Sequence, residues 1–381
     1  MKPTRILLVG GGHAHIEVIR QYRRRFGDQG IEVVLVSPEP GAAYSGMLPG
    51  VVAGQYQVDQ FLINLPALCA DSGVRWHQGR FVALTEDRRS AVLEDGSILE
   101  FDYAAFDIGS MPRSRELLSA QSAGSTGVLL PAKPVTPLLA AWERFLAGLA
   151  PGQNRTVTVV GGGVAGFELA LAMHHRIRGY QPGPDWQWHL VSRSEVLAEH
   201  NPLIRRAGRR ALAQAGFQTH IGVALTGVES IGQQGQQLQL TDGSRLRSDF
   251  TLLCTPAAPV QDLRGSLLPL TDEGFIPVTE SLQVVGHERL FAVGDIARFP
   301  TPIAKAGVYA VRQGPVLAAN LSNIIAGRTL QAFVPQGRFL KLITLGERKA
   351  MASRGWFYAR GDWVWRWKHQ IDSGFMEKYQ R

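Results

Sequence analysis

A run of four apolar residues, Ile6 to Val9, leads directly into Gly10-Gly-Gly-His-Ala-His-Ile-Glu17. A helical pattern follows, then a second strand-like run from Ile31 to Val36. The same succession returns 151 residues later: Val157 to Val160, Gly161-Gly-Gly-Val-Ala-Gly-Phe-Glu168, a helical stretch, and Trp186 to Val191. This predicts strand, tight glycine turn, helix, strand, twice over. Between the copies, segments around Val74 to Trp76, Phe81 to Leu84, Ala91 to Leu93 and Ile98 to Phe101 predict an antiparallel sheet with a turn at Glu94-Asp-Gly96. A like arrangement follows the second copy, with Leu238 to Leu240, a turn at Asp242-Gly243, and Phe250 to Leu253. The proline-rich stretch Leu130 to Pro137 reads as a crossover between domains, Arg289 to Asp295 as a short buried strand ending in Gly-Asp, and Ile303 to Gly327 as a helix. Trp363, Trp365 and Trp367 alternate, which predicts a strand with one face on the core.

Composition narrows the class. The 381 residues are 45% hydrophobic and 19% charged, enough apolar material for two or three cores of roughly 150 residues each. No apolar run reaches the roughly 18 residues that a bilayer-spanning helix needs. The first strand starts so near Met1 that no leader peptide has room, and the cytosol is the expected compartment. Cys69 and Cys254 have no His or Cys at ligand spacing, so neither a metal site nor a Cys-x-x-Cys pair is expected. The formal charge of +8 comes from scattered basic residues; Arg23-Arg24-Arg25 and Arg205, Arg206, Arg209 and Arg210 read as solvated helix faces, and no nucleic-acid partner is expected.

The glycine clusters carry the chemistry. The first glycine permits a tight turn and the second lets the backbone approach a pyrophosphate, which then rests on the free amides of a helix N-terminus. Two such turns at matching places imply two dinucleotides. The usual acid that ends the second strand of such a unit is replaced by Ser37 and Ser192. Glu39 stands two residues late at the first site, while Ser192-Arg193 at the second offers the hydroxyl and guanidinium suited to a 2′-phosphate.

With these pieces in order, residues 5 to 330 resemble the pyridine nucleotide-disulfide oxidoreductase superfamily of flavoproteins. Tyr44 to Pro49, Gly161 to Glu168 and Arg312 to Asn320 look like type II NADH dehydrogenases and sulfide:quinone oxidoreductases. Gly10 to His15, Ala352 to Trp356 and Trp363 to Lys368 are most similar to the flavoprotein segment fused to selenide, water dikinase in some bacteria. The resemblance implies an α/β chain with two Rossmann-like domains, the second inserted in the first: residues 1–125 and 271–330 for FAD, 126–270 for NADH or NADPH, and 331–381 as a C-terminal region.

It further implies that Gly10, Gly12, His13, Ala14, Ser37, Glu39, Phe81, Gly109, Gly294 and Asp295 bind FAD, Asp295 by accepting a bond from a ribityl hydroxyl. Gly161, Gly163, Gly166, Ser192 and Arg193 would bind the nicotinamide nucleotide. Two residues have competing readings. Lys305 either brings a cation and a helix start to the flavin pyrimidine ring or is a surface lysine; Glu168 either lies near nicotinamide and flavin or packs at a domain interface.

The departures matter as much. The stretch Ala43 to Gly54 lacks the cysteines of disulfide reductases, and neither Cys69 nor Cys254 falls where sulfide oxidation needs one. Direct hydride transfer from nicotinamide to flavin is the expected chemistry, with a quinone or another small molecule as acceptor. Val308 and Arg312 stand where the type II enzymes carry quinone-facing glutamines. The rival readings are a flavoenzyme of selenium metabolism and a flavin-binding partner protein that does not use NAD(P)H. Trp356, Phe357, Trp363, Trp365 and Trp367 with Arg360, Arg366 and Lys368 also have the make-up of a peripheral membrane patch, and a homodimer is the other association considered.

Overall fold

The computed structural model describes residues 3–27, 30–113, 117–118, 127–180, 185–232, 235–260, 263–337 and 339–380. The expected boundary at residues 125–126 lies outside them. Strands Thr4–Val9 and Ile31–Ser37 pair in parallel, Ile6 opposite Val33, and Tyr103–Phe106 joins the other edge of the first strand. Their centres, Ile6 to Val9, Val33 to Val36 and Ala104 to Phe106, are apolar and buried on both side-chain directions, as parallel strands in the interior require. His287–Ala292 pairs in parallel with Tyr103–Phe106, so a segment from late in the chain completes the first sheet. A second parallel sheet runs Val128–Pro131, Phe250–Leu253, Thr156–Val160, Gln187–Ser192 and Phe217–Ile221. The β-branched run Thr156–Val160 is wholly buried at its centre.

Two smaller antiparallel sheets follow the expected hairpins, with two corrections. Phe81–Leu84, Ser90–Leu93 and Ile98–Glu100 form one, but Arg75–Gln78 pairs in parallel with Ile31–Ser37, Val34 opposite Arg75. In the second half Leu225–Ser230, Gln236–Leu240 and Arg245–Ser248 are antiparallel, while Phe250–Leu253 returns to the parallel sheet. Proximity in sequence suggested one sheet in each case; the run Phe250–Leu253, buried at every position, sits between two strands of the parallel sheet.

The helix expected over Ile303 to Gly327 spans Gly307–Ile325 and packs on helix His13–Arg20 behind the first glycine turn. The largest correction is C-terminal. Lys341–Leu345, Glu347–Arg354 and Phe357–Gly361 make a three-stranded antiparallel sheet, and the tryptophans that predicted a strand lie on helix Asp362–Glu377. Val364, Lys368, Asp372 and Met376, four apart, are its buried seam. The indoles stack at the same spacing, Trp363 on Trp367 and Trp365 on His369.

Candidate functional site

The two glycine turns sit at the C-terminal ends of Thr4–Val9 and Thr156–Val160, where parallel α/β sheets present ligand crevices. In the first, Gly10 has φ +97°, and a Cβ there would lie 2.5 Å from the Asp107 carbonyl oxygen. At Gly12 a Cβ would meet the Asp107 carboxyl group at 2.0 to 2.3 Å. The Ala14 amide donates to Asp107 Oδ2 at 2.9 Å. His15 stands where the third glycine of such a turn would be, and its Nδ1 donates to the Gly10 carbonyl at 2.7 Å. Burial pulls the His15 ring down to about 4, so it is neutral at ordinary pH. His13 is pulled down from 6.5 by burial, with the Asp107 charge opposing, and its Nε2 is buried with no partner among the described residues.

The late Gly-Asp closes on this turn. The Gly294 amide donates to Gln313 Oε1 at 2.6 Å, and Gln313 Nε2 is a second buried group without a partner among the described residues. Ser110 Oγ and Lys133 Nζ both donate to Asp295 Oδ2, at 3.0 and 3.1 Å. Gly109 has φ +73° with open space where a Cβ would be, and Phe81 packs its ring edge on Phe106. Ser37 is buried and donates to the Glu39 carbonyl, while the Glu39 side chain is exposed. Lys305 precedes the helix rather than opening it. Its Nζ donates to the Ala297 carbonyl at 2.5 Å and lies 4.3 Å from the centroid of the Phe275 ring, and burial pulls it down to about 8.

The second turn shows the three glycine roles separately. Gly161, at φ +129°, would place a Cβ 2.2 Å from the Cys254 carbonyl oxygen; Gly163 faces open space; a Cβ on Gly166 would lie 1.9 Å from the Gly161 carbonyl oxygen, so helix and strand touch there. Ser192 is buried beside Gly162 and Arg193 is exposed at the strand end. Cys254 lies one residue past its strand, with its backbone against this turn, and burial pushes both Cys254 and Cys69 up to about 12. Neither is a thiolate at neutral pH.

Glu168 is buried and its Oε1 accepts from Thr344 N at 2.7 Å and Thr344 Oγ1 at 2.9 Å. It therefore ties the C-terminal sheet to helix Val164–Ile177. Burial raises its carboxyl above the usual range, against the pull of Lys368. Sequence reasoning placed Lys368 on an outward basic patch, but it is 8% exposed, and its Nζ donates to Gly46 O at 2.7 Å and Asp372 Oδ2 at 2.6 Å. Tyr44 OH donates to Asp372 Oδ1 at 3.1 Å, and its ring stacks on Phe375 at 4.4 Å. Asp107, Tyr44, Lys368 and Asp372 are the site residues that sequence reading missed. The i, i+4 spacing of Lys368 and Asp372 was the available signal for that pair.

Two glycine turns at the crevice ends of two parallel sheets, with a Gly-Asp returning to the first, define a two-dinucleotide α/β protein. A family model described as pyridine nucleotide-disulphide oxidoreductase matches residues 4–314, and the chain belongs to that family. It is an oxidoreductase that uses FAD and NAD(P)H. It is 24% identical over 384 residues to ferroptosis suppressor protein 1 of Xenopus laevis, a match covering 93% of this chain and 90% of that protein. An NADH dehydrogenase-like protein of Mycobacterium tuberculosis is 23% identical over 392 residues, covering 93% and 88%. Sulfide:quinone oxidoreductase from Aquifex aeolicus shares the fold at TM-score 0.80 and 15% identity, over 99% of this chain and 91% of that one.

The residues at the first turn fit FAD. Gly10, Gly11 and Gly12 carry no side chains, and three buried polar atoms, His13 Nε2, His15 Nε2 and Gln313 Nε2, lack partners among the described residues. The open face of Gly163 fits a second dinucleotide in the same way.

Proposed function

We propose that this chain takes a hydride from NAD(P)H and passes the electrons to a quinone or another small acceptor with no redox cysteine. FAD, when bound, supplies the hydride acceptance and the two-electron delivery. The observation that carries the reading is the stretch Ala43 to Gly54, which holds no cysteine and whose Gly46 carbonyl accepts from Lys368. Asp295 receives both its bonds on Oδ2, which leaves Oδ1 to accept from a ribityl hydroxyl. Glu168, with its carboxyl raised and buried beside Lys368, is suited to hold a proton for the acceptor, which needs one more than a hydride brings. The joining of His287–Ala292 to the first sheet supports FAD on residues 1–125 and 271–330, NAD(P)H on 126–270, and 331–381 as cover.

Arg193, exposed at the end of Gln187–Ser192, is the group proposed to meet the 2′-phosphate of NADPH. A charge-assisted bond of about 1.5–3 kcal/mol corresponds to roughly a tenfold to hundredfold preference for NADPH over NADH. Anaerobic mixing with each nucleotide, followed by flavin bleaching, tests both points. The Cys69→Ser, Cys254→Ser double variant should bleach at the unmutated rate, and Arg193→Ala should lose the NADPH preference while keeping the NADH reaction. Absence of bleaching by either nucleotide refutes the hydride reading.

The outward face of the C-terminal region supports peripheral contact with a membrane surface. Trp356 is 78% exposed and Trp363 51%, with Phe357, Arg354, Arg360 and Arg366 exposed beside them. No helix among the described residues is long and apolar enough to cross a membrane.

A further inference from the structure

Asp107 ends strand Tyr103–Phe106 directly under the first glycine turn. Its carboxyl group is wedged between two glycines: a Cβ on Gly12 would lie 2.0 Å from its Cγ, and one on Gly294 would lie 2.3 Å from its Oδ1. Its Oδ2 takes the Ala14 amide at the start of helix His13–Arg20. That amide belongs to the set which a glycine-turn helix offers to a pyrophosphate, so the chain has put a carboxyl of its own into the anion-binding end of the helix. The groups facing it are His13 and His15 from the same helix and Asp295 from the Gly294–Ile296 turn, with Lys133 bonded to Asp295. Lys133 is the cation among them, and Asp295 already engages it.

We infer that Asp107 links FAD retention to protons: its carboxyl is protonated when the FAD pyrophosphate lies on the turn, so FAD binding takes up a proton and FAD release is favoured as pH rises. A carboxylate and a diphosphate sharing one helix start repel, and neutralising the carboxyl removes the repulsion at the cost of one proton. Burial pushes Asp107 up to about 6 before any ligand is considered, with the Ala14 amide and His13 opposing and Asp295 adding to the rise. Bound diphosphate raises it further. The sign follows: between about pH 6 and the higher value in the complex, free protein has Asp107 ionised and the complex has it protonated, and the FAD dissociation constant rises with pH. The limit for one proton is about tenfold per pH unit. FAD itself has no group that titrates in this range.

The inference rests on the first turn being the FAD turn, and the experiment separates the two. Deflavinated protein is titrated with FAD from about pH 6 to 8.5, with binding read by flavin fluorescence. The unmutated chain should weaken by up to tenfold per pH unit. Asp107→Asn, which keeps an oxygen for the Ala14 amide, should hold FAD at pH 8 as tightly as the unmutated chain does at pH 6, with the slope gone. His13→Gln should keep the slope. A flat profile in the unmutated chain, or an Asp107→Asn slope equal to it, overturns the inference while leaving FAD on the turn; no FAD binding at any pH overturns the turn assignment itself. Should Asp107→Asn not fold, calorimetry of the unmutated chain in two buffers of different ionisation enthalpy decides alone. Uptake of a fraction of a proton or more per FAD at pH 7 supports the inference, and no uptake overturns it.

Discussion

At the third-glycine position the two turns part company. In the second turn Gly166 lets helix and strand touch, and a methyl there would sit 1.9 Å from the Gly161 carbonyl oxygen. In the first, His15 occupies the equivalent place and uses its Nδ1 to satisfy the Gly10 carbonyl, so the helix is held off by a ring and tied by a bond. At this third position only the second turn holds a glycine that a methyl would push against the strand. Gly166→Ala should leave FAD bound at the first turn and weaken NAD(P)H by tenfold or more, read as the nucleotide concentration that bleaches half the flavin; unchanged bleaching would show that the turn tolerates the shift. The glycines were legible from the repeat, because a backbone that must turn tightly leaves glycine as its record, while Asp295 and Glu168 were singled out by the family resemblance. Asp107 was not. It lies 93 residues from its partner Ala14, and nothing local in Phe106-Asp-Ile-Gly109 marks a carboxyl under another segment's helix.

The C-terminal helix is the element on which pattern reading failed. Three tryptophans two apart fit a strand face, yet the same residues fit a helix whose buried seam is Val364, Lys368, Asp372 and Met376. Two of those four are charged, so hydrophobic periodicity gave no seam to find. The pair is buried because each satisfies the other, with the Gly46 carbonyl and the Tyr44 hydroxyl completing the set. The end of this element is docked by another buried carboxylate. Glu17 accepts from Arg20 at 2.7 Å, Gln21 at 2.6 Å, Lys378 at 3.1 Å and Tyr379 at 2.7 Å. Burial alone would raise its carboxyl, but bonds from Arg20, Tyr379, Gln21 and Lys378 hold it down to about 2 from 4.5. A depressed carboxylate stabilises the fold fully above its unfolded value and loses that contribution as pH falls toward about 2. The contribution is roughly 3 kcal/mol. Glu17→Gln should lower the unfolding free energy at pH 7 and flatten its fall between about pH 4.5 and 2, measured by denaturant melts; parallel curves for the two proteins would contradict this.

For the molecule as a whole, the C-terminal region joins what the repeat keeps apart. Glu168 of the second half holds its sheet, Gly46 of the first half holds its helix, and Glu17 holds its end. Its inner face meets both halves, and Trp356, Phe357 and Trp363 are exposed on the outside with Arg354, Arg360 and Arg366. Unmutated protein should co-sediment with vesicles containing anionic phospholipid and come off as salt is raised. The Trp356→Ser, Trp363→Ser variant, altered only at exposed positions, should bind several-fold less while keeping its flavin; absence of binding by the unmutated chain would remove the membrane reading. The sequence by itself determined the two strand, glycine turn and helix units and the absence of cysteine from Ala43 to Gly54, because these depend on backbone conformations and residue types that are local in the chain. Only the tertiary structure decided that Arg75–Gln78 and Phe250–Leu253 enter parallel sheets, that Lys368 points inward, and that Asp107 fills a helix start. Each of those rests on a pairing between distant segments, and a pairing free energy leaves no period or spacing in either segment alone.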